Sequence, residues 1–281
     1  MLNIISYSEM NNSLLTFSKN LLGKILSQMA DILMPKEKKV KLLEALGPDG
    51  LFENIPRAEN FDLPGQNRQV DFETDKIKAI FNYKTVLCRQ AIWEIKYRAN
   101  KKLIRDFSLL LYEFILEELS DLETFNNFKN IILIPIPSSK GRLREKGFNQ
   151  CILITRELIK IDKERKGNNF TLLENFLIKK NDTAHQARVS NRKKRLQNLK
   201  NAFSIDPSWA GTILSERLGL PLSAGQGLSL ALEGESLSFH NYSFIIIDDV
   251  ITTGATMNEA FRTLRSAGIS SHKIRGYVLA H

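Results

Sequence analysis

The chain has 281 residues, 43% of them hydrophobic, and a formal net charge of +9. This size and composition are ordinary for a globular protein and allow one large domain or a domain with an appendage. The two cysteines, Cys88 and Cys151, lack a short metal-type spacing, so neither a structural zinc site nor a disulfide framework is expected.

The hydropathy and charge patterns exclude further classes of protein and indicate the kind of ligand. No apolar window of about 18 residues is present, which excludes a membrane-spanning helix, and the N-terminus lacks the features of a signal peptide, so a cytoplasmic protein is expected. Residues 139–202 hold 17 basic and 6 acidic residues, a net charge of +11. Such a local basic field suits nucleic acid or a highly phosphorylated small molecule in a cleft.

Residues 1–73 are predicted to form a helical N-terminal extension. Apolar residues recur at helical spacing from Leu14 to Leu33 and stop before Pro35, where proline disfavours continuation. That helix packs on the chain's own core or on a partner or membrane, and its weakly basic polar face favours the core. A short helix within irregular connections is predicted for residues 36–67, and two helices joined near Ala99 and Asn100 follow residue 75.

Residues 131–137 predict an apolar strand that ends in hydroxyls, a glycine and cations. Lysine and arginine neutralise clustered phosphate oxygens, while small residues let the backbone approach them. This pattern favours a pyrophosphate loop, and the alternative is a basic turn before the helix predicted at residues 151–161. The candidate ligands are Ser138, Ser139, Lys140 and Arg142. A further strand is predicted at residues 170–178.

Residues 244–247 predict a parallel strand buried on both faces, which ends at Asp248 and Asp249. Burying two adjacent carboxylates without partners would cost several kcal/mol, roughly, so we expect them where the strand opens into a crevice. A hydroxyl-rich loop and the helix predicted at residues 257–267 come next, and the free N–H groups of a helix N-terminus suit a phosphate. The candidate phosphate ligands are Thr252, Thr253, Gly254, Ala255 and Thr256. The alternative is a strand that runs into an N-capped helix.

Two of these stretches resemble a known family. The acidic strand followed by Asp-Asp-Val-x-Thr-Thr-Gly-x-Thr resembles the signature that binds phosphoribosyl pyrophosphate in type I phosphoribosyltransferases. The string Ile-Pro-x-x-x-x-Gly-Arg-x-Arg-x-x-Gly-Phe-Asn-Gln, which ends at Gln150, resembles the main motif of the ComF (GntX) branch. The resemblance spans residues 74–280. It implies an α/β fold, with a mostly parallel twisted sheet flanked by helices, over a domain at residues 74–281.

The resemblance also implies ligands and roles. Asp248 and Asp249 would hold the ribose hydroxyls and, indirectly, the magnesium that accompanies phosphoribosyl pyrophosphate. Arg195 belongs to a basic element that resembles the family's mobile lid, although a solvated basic helix is the alternative. Lys96 and Arg98 lie in a "Lys-Tyr-Arg" segment of the same branch and would approach the pyrophosphate or form a solvated helix end. Purine-salvage relatives have an acid where this chain has Thr252, so we expect another nitrogen nucleophile as acceptor.

The chain departs from the family at two places. The paired cysteines of an N-terminal zinc finger are missing, and residues 209–235, with five glycines and no lysine, are interpreted as an insertion. An alternative function keeps the fold but makes the protein an accessory factor of DNA uptake that binds single-stranded DNA or competence proteins. A homodimer is left open as the assembly.

Overall fold

The apolar strands predicted on either side of the basic segment lie next to each other in one parallel sheet. This computed structural model describes residues 38–58, 74–120, 130–167, 169–180, 201–207 and 242–281. The sheet has five strands in the order β1-β7-β6-β2-β3, and every neighbouring pair is parallel. The strands are β1 (Ile77–Phe81), β2 (Ile131–Pro135), β3 (Phe170–Leu172), β6 (Ser243–Val250) and β7 (Ile274–Ala280). Strands β4 (Leu177–Lys179) and β5 (Phe203–Ile205) form a separate antiparallel pair.

The helices are α1 (Lys38–Asn54), α2 (Val86–Arg98), α3 (Lys101–Ser120), α4 (Lys140–Lys146), α5 (Gln150–Glu164) and α6 (Ala255–Ser266). Three of them, α3, α5 and α6, pack on the sheet, as an α/β fold requires. Helices α2 and α3 meet at Ala99, whose left-handed backbone (φ 49°) ends α2, so the predicted joint is confirmed. Within the described parts of the chain, no helix is both long enough and apolar enough to span a bilayer.

Strand β6 is the centre of the sheet because its side chains are apolar on both faces. Phe244 and Ile246 join one buried cluster with Phe261 and Leu264 of α6. The alternate residues Ile245 and Ile247 are equally buried. The fold class inferred from the sequence is therefore confirmed: an α/β domain with a parallel sheet flanked by helices.

The elements differ from the predictions at three places. Strand β6 does not stop before the acids but continues through them to Val250, because β7 pairs with it as far as that residue. The single strand predicted at residues 170–178 is wrong, since a turn divides it into β3 and β4, which belong to different sheets. Helix α4 replaces part of the predicted pyrophosphate loop, because the Ser139 side chain caps it by accepting from Arg142 N.

The chain divides into two compact units between Ala45 and Leu46, and the sheet belongs entirely to the second. Helix α1 begins at Lys38 and is interrupted at Gly47 (φ 65°). The boundary predicted at residues 73–74 stays a prediction, as does most of the N-terminal extension. The insertion at residues 209–235, the basic lid and Arg195 lie outside the described residues.

Gly276 of β7 faces the side chain of Met257 of α6. A Cβ atom at this position would stand 2.8 Å from the sulfur of Met257. We expect Gly276→Val to lower the free energy of unfolding by about 1–3 kcal/mol through overpacking, as measured by urea denaturation. Met257→Ala should restore part of the loss in the double variant, and an additive double variant would contradict this account.

Candidate functional site

Asp248 and Asp249 lie at the carboxyl end of the central strand, the edge where open α/β sheets bind ligands. Asp249 is only 3% exposed, whereas Asp248 is half-buried. The adjacent backbone helps to hold both carboxylates: Asp249 N donates to Asp248 Oδ1 and Val250 N donates to Asp249 Oδ1, each at 2.9 Å. The predicted partners for buried acids are therefore present.

The other oxygen of Asp249 contacts two side chains from different helices. Lys96 Nζ of α2 lies 3.3 Å from Asp249 Oδ2, and Gln150 Nε2 of α5 donates to the same oxygen at 3.1 Å. Burial alone would lower the pKa of Lys96, but the charge of Asp249 and their hydrogen bond outweigh it, so the pKa is raised. The lysine therefore stays charged at neutral pH and neutralises the buried acid.

Asp248 has a different environment. Cys151 Sγ donates to Asp248 Oδ1 at 3.3 Å. Burial first, and then the negative charge of Asp249, raise the pKa of Asp248 to about 7. Burial and both acids also raise the pKa of Cys151 well above its usual value. The thiol is therefore protonated at neutral pH, while Asp248 exchanges its proton near that pH.

One potential metal-binding group is found among the described residues. It consists of Cys151, Asp248 and Asp249, each of which offers one ligand atom, and these three atoms lie within 4.8 Å of one another. A soft metal would require the Cys151 thiolate, which its raised pKa disfavours. Magnesium prefers oxygen and commonly binds through one or two carboxylates together with substrate phosphates, so the two acids fit it.

The start of α5 explains why the Gly-Phe-Asn-Gln string matters. Asn149 caps the helix by accepting from Cys151 N, and its Nδ2 donates to Ile136 O at 2.9 Å, which ties the helix to the end of β2. This anchoring directs Gln150 and Cys151 toward the acids. Neither residue has a role in the expectations drawn from the sequence. The position of Gln150 as the last residue of the motif was the available signal, whereas Cys151 gave none.

The loop at residues 252–256 has the geometry of an open helix N-terminus. Gly254 adopts φ 71° as the N-cap of α6 and provides no side-chain cap. The first regular bond of the helix runs from Asn258 N to Gly254 O, and Ala255 N makes only a 3.5 Å contact with Thr253 Oγ1. Apart from any bonds inside the helix or strand itself, the backbone N–H groups of Thr253 and Thr256 donate to no backbone carbonyl among the described residues. The arrangement suits an anion such as a phosphate.

The predicted pyrophosphate loop is divided between structural and exposed residues. Ser139 is buried and serves as the helix cap, Ser138 is half-buried, and Lys140 and Arg142 are exposed. Lys146, at the end of α4, reaches back over the ring of Tyr97. Burial and then the charges of Lys96 and Arg142 lower the pKa of Lys146. Lys96 and Lys146 are therefore the cations near Asp249, and Arg142 lies close enough to Lys146 to affect its charge.

Lys96 lines a cavity as well as pairing with Asp249. The cavity has a volume of about 390 Å³ and lies along α2, with Tyr83, Arg89, Trp93 and Tyr97 also in its wall. An ammonium between a carboxylate and an open cavity can exchange its partner when an anion enters. Lys96 thus lies between Asp249 and the cavity, and its approach to a pyrophosphate stays a prediction.

We expect Lys96→Gln to lower the free energy of unfolding by about 1–2 kcal/mol, because it leaves a buried carboxylate without its counter-charge. The bonds from Gln150 and Val250 limit the loss. Urea denaturation would measure it. Lys160→Gln is the matched control, since Lys160 is 65% exposed in its pair with Glu157 and should matter little. Equal effects of the two substitutions would contradict the assignment.

Comparison with known proteins agrees with part of the resemblance. The chain is 27% identical over 148 residues to competence protein F of Haemophilus influenzae, a match that covers 53% of this chain and 50% of that protein. The chain thus spans about half the length of the curated relative. No protein-family model matches the chain. A distant similarity to a ComF-like protein is the finding.

Proposed function

We propose that this protein binds phosphoribosyl pyrophosphate together with magnesium and transfers the phosphoribosyl group to a nitrogen nucleophile. One observation carries the proposal: the buried carboxylate of Asp249 at the end of the central strand is followed within five residues by an open helix N-terminus. A vicinal diol and a phosphate are the ligand groups that these two features fit. Ribose 5-phosphate contains both.

The charges around this seat suit the chemistry. Departure of pyrophosphate leaves positive charge on the ribose ring and adds negative charge to the leaving group. Asp248 and Asp249 would lie beneath the ring, while Lys96, Arg142 and Lys146 would face the pyrophosphate. Fixed charges of this kind stabilise the separation without having to reorganise.

Magnesium, when bound, would further neutralise the leaving group. Asp248 and Asp249 are the residues to hold it, directly or through the ribose. The protonated Cys151 would orient Asp248 through its S–H donor rather than act as a ligand.

Thermal denaturation with and without the donor tests this function. Phosphoribosyl pyrophosphate plus magnesium at about 100 times Kd should stabilise the folded state by about 2.7 kcal/mol and raise Tm by roughly 5–10 °C. Pyrophosphate plus magnesium should give a smaller shift, because it lacks the sugar. No shift with the donor would remove the proposal.

A second candidate function rests on a different observation. Helix α4 presents Lys140, Arg142 and Arg144 as exposed cations, and the relative named above is a competence protein. These features support an accessory role in DNA uptake through single-stranded DNA. Binding of a labelled oligonucleotide that weakens steeply with salt, without stabilisation by the donor, would favour this function over transfer.

A further inference from the structure

Helix α2 carries a line of exposed apolar and aromatic side chains along the cavity described above. Val86, Trp93 and Tyr97 are 55%, 43% and 50% exposed. Their spacing of seven and four residues places them on one face of the helix, and all three line the cavity. Scattered exposed apolar residues need no explanation, but a continuous line along a concavity marks a binding surface.

The two rings contact each other, and each has a cation over it. The centroids of Trp93 and Tyr97 lie 5.5 Å apart. The Arg98 guanidinium lies 5.0 Å from the Trp93 centroid, and Lys146 Nζ lies 4.3 Å from the Tyr97 centroid. Cation–π contacts of this kind restrain the ring planes. A planar ligand can therefore stack without first ordering the rings.

The positive charge of the cavity wall favours a negatively charged ligand. Arg89 and Lys96 line it, and no acid is found among the described residues of its wall. Lys96 is shared with Asp249, whereas Arg89 forms no ion pair among the described residues. A guanidinium is well suited to binding a carboxylate through two parallel hydrogen bonds.

We propose that this cavity takes the acceptor and that the acceptor is a planar aromatic carboxylate of one or two rings. The inference rests on the proposed function and specifies its second substrate. The ring packs against Trp93 and Tyr97, its carboxylate binds Arg89, and its nitrogen points toward the anomeric carbon in the donor seat, on the side away from the pyrophosphate. In the transfer, the nitrogen lone pair forms the bond to the ribose anomeric carbon. The carbon–oxygen bond breaks, pyrophosphate keeps that electron pair, and any N–H proton passes to water.

Matched pairs of ligands test the inference on the full chain. Nicotinate and orotate should bind at least tenfold more tightly than nicotinamide and uracil, measured by calorimetry with pyrophosphate and magnesium present. Arg89→Gln should remove this preference and leave the weak binding of the neutral partners unchanged. Trp93→Ala should weaken all four ligands. Arg156→Gln is the control, because Arg156 is an exposed arginine paired with Glu174 away from the cavity.

Three outcomes overturn the inference. They are equal binding of acids and neutral partners, unchanged binding in Arg89→Gln, and displacement of the acids by a short oligonucleotide that binds more tightly at low salt. Donor stabilisation without acid binding removes this inference alone. Acid binding without donor stabilisation removes the proposed transfer instead, so the two failures are distinguishable.

Discussion

Asp249→Asn should lower pyrophosphate release from the donor by about 100-fold or more, the scale seen when a preorganised electrostatic contact is removed. The amide cannot offer two anionic oxygens to a diol or to magnesium. It also leaves Lys96, which lies 3.3 Å from the carboxylate in the wild type, without its counter-charge close to a ring that becomes positive. Ground state and transition state are affected unequally, so kcat should fall more than KM rises.

Release would be measured with a coupled phosphate assay across a panel of aromatic acids, bases and amines. Asp75→Asn is a matched control, since Asp75 is an exposed aspartate before β1, at the opposite edge of the sheet. It should retain full activity. Equal activity in the wild type and Asp249→Asn would take Asp249 out of the site.

Asp248→Asn should stabilise the protein more at pH 8 than at pH 5. The pKa of Asp248 is raised to about 7 in the folded state, chiefly by burial, so the folded protein holds its proton more tightly than the unfolded chain does. The contribution of the Asp248 carboxyl to the free energy of unfolding is complete below the pKa that this group has in the unfolded chain. It is lost as the pH rises through about 7, the pKa in the folded protein. Asparagine never becomes charged and avoids that loss.

The expected gain at pH 8 is on the order of 1–3 kcal/mol, or several degrees in Tm. Urea denaturation at pH 5, 6.5 and 8 would measure this gain. Asp75→Asn is the control, and we expect it to leave the dependence of the free energy of unfolding on pH as it is in the wild type. Donor affinity should fall in the same variant, because the removed charge belongs to the ligand seat. A variant less stable than the wild type at pH 8, or equally stabilised at pH 5, would contradict the explanation.

Local patterns predicted most of the strands and helices of the sheet domain, but not all of their ends. Residues 244–247 predict a strand because they are apolar without alternation. Gly254 predicts the turn into α6 because it lies among hydroxyl residues directly before the amphipathic helix. Helix α4 was missed because Gly141 and the charges around it are typical of a loop, while the cap from Ser139 outweighs them.

The contacts that assemble the site could not be predicted in the same way. Gln150 and Asp249 are 99 residues apart, and their meeting depends on β2 lying beside β6. Lys96 reaches Asp249 from α2, which follows β1, the strand at one edge of the sheet. The order of the strands in the sheet decides both contacts. The hydrophobic periodicity of a segment does not predict that order. The sequence therefore indicated which acids lie at the end of the central strand but not which residues they contact.

The ion pair between Lys96 and Asp249 has a consequence for the order in which ligands arrive. A bare divalent cation meets a carboxylate that already has a counter-ion within 3.3 Å, so its entry must displace an ammonium of like sign. A cation that comes already chelated by a polyphosphate brings the anion to which that ammonium can move. Metal and nucleotide precursor should therefore enter as one complex, and magnesium titrated alone should bind only weakly.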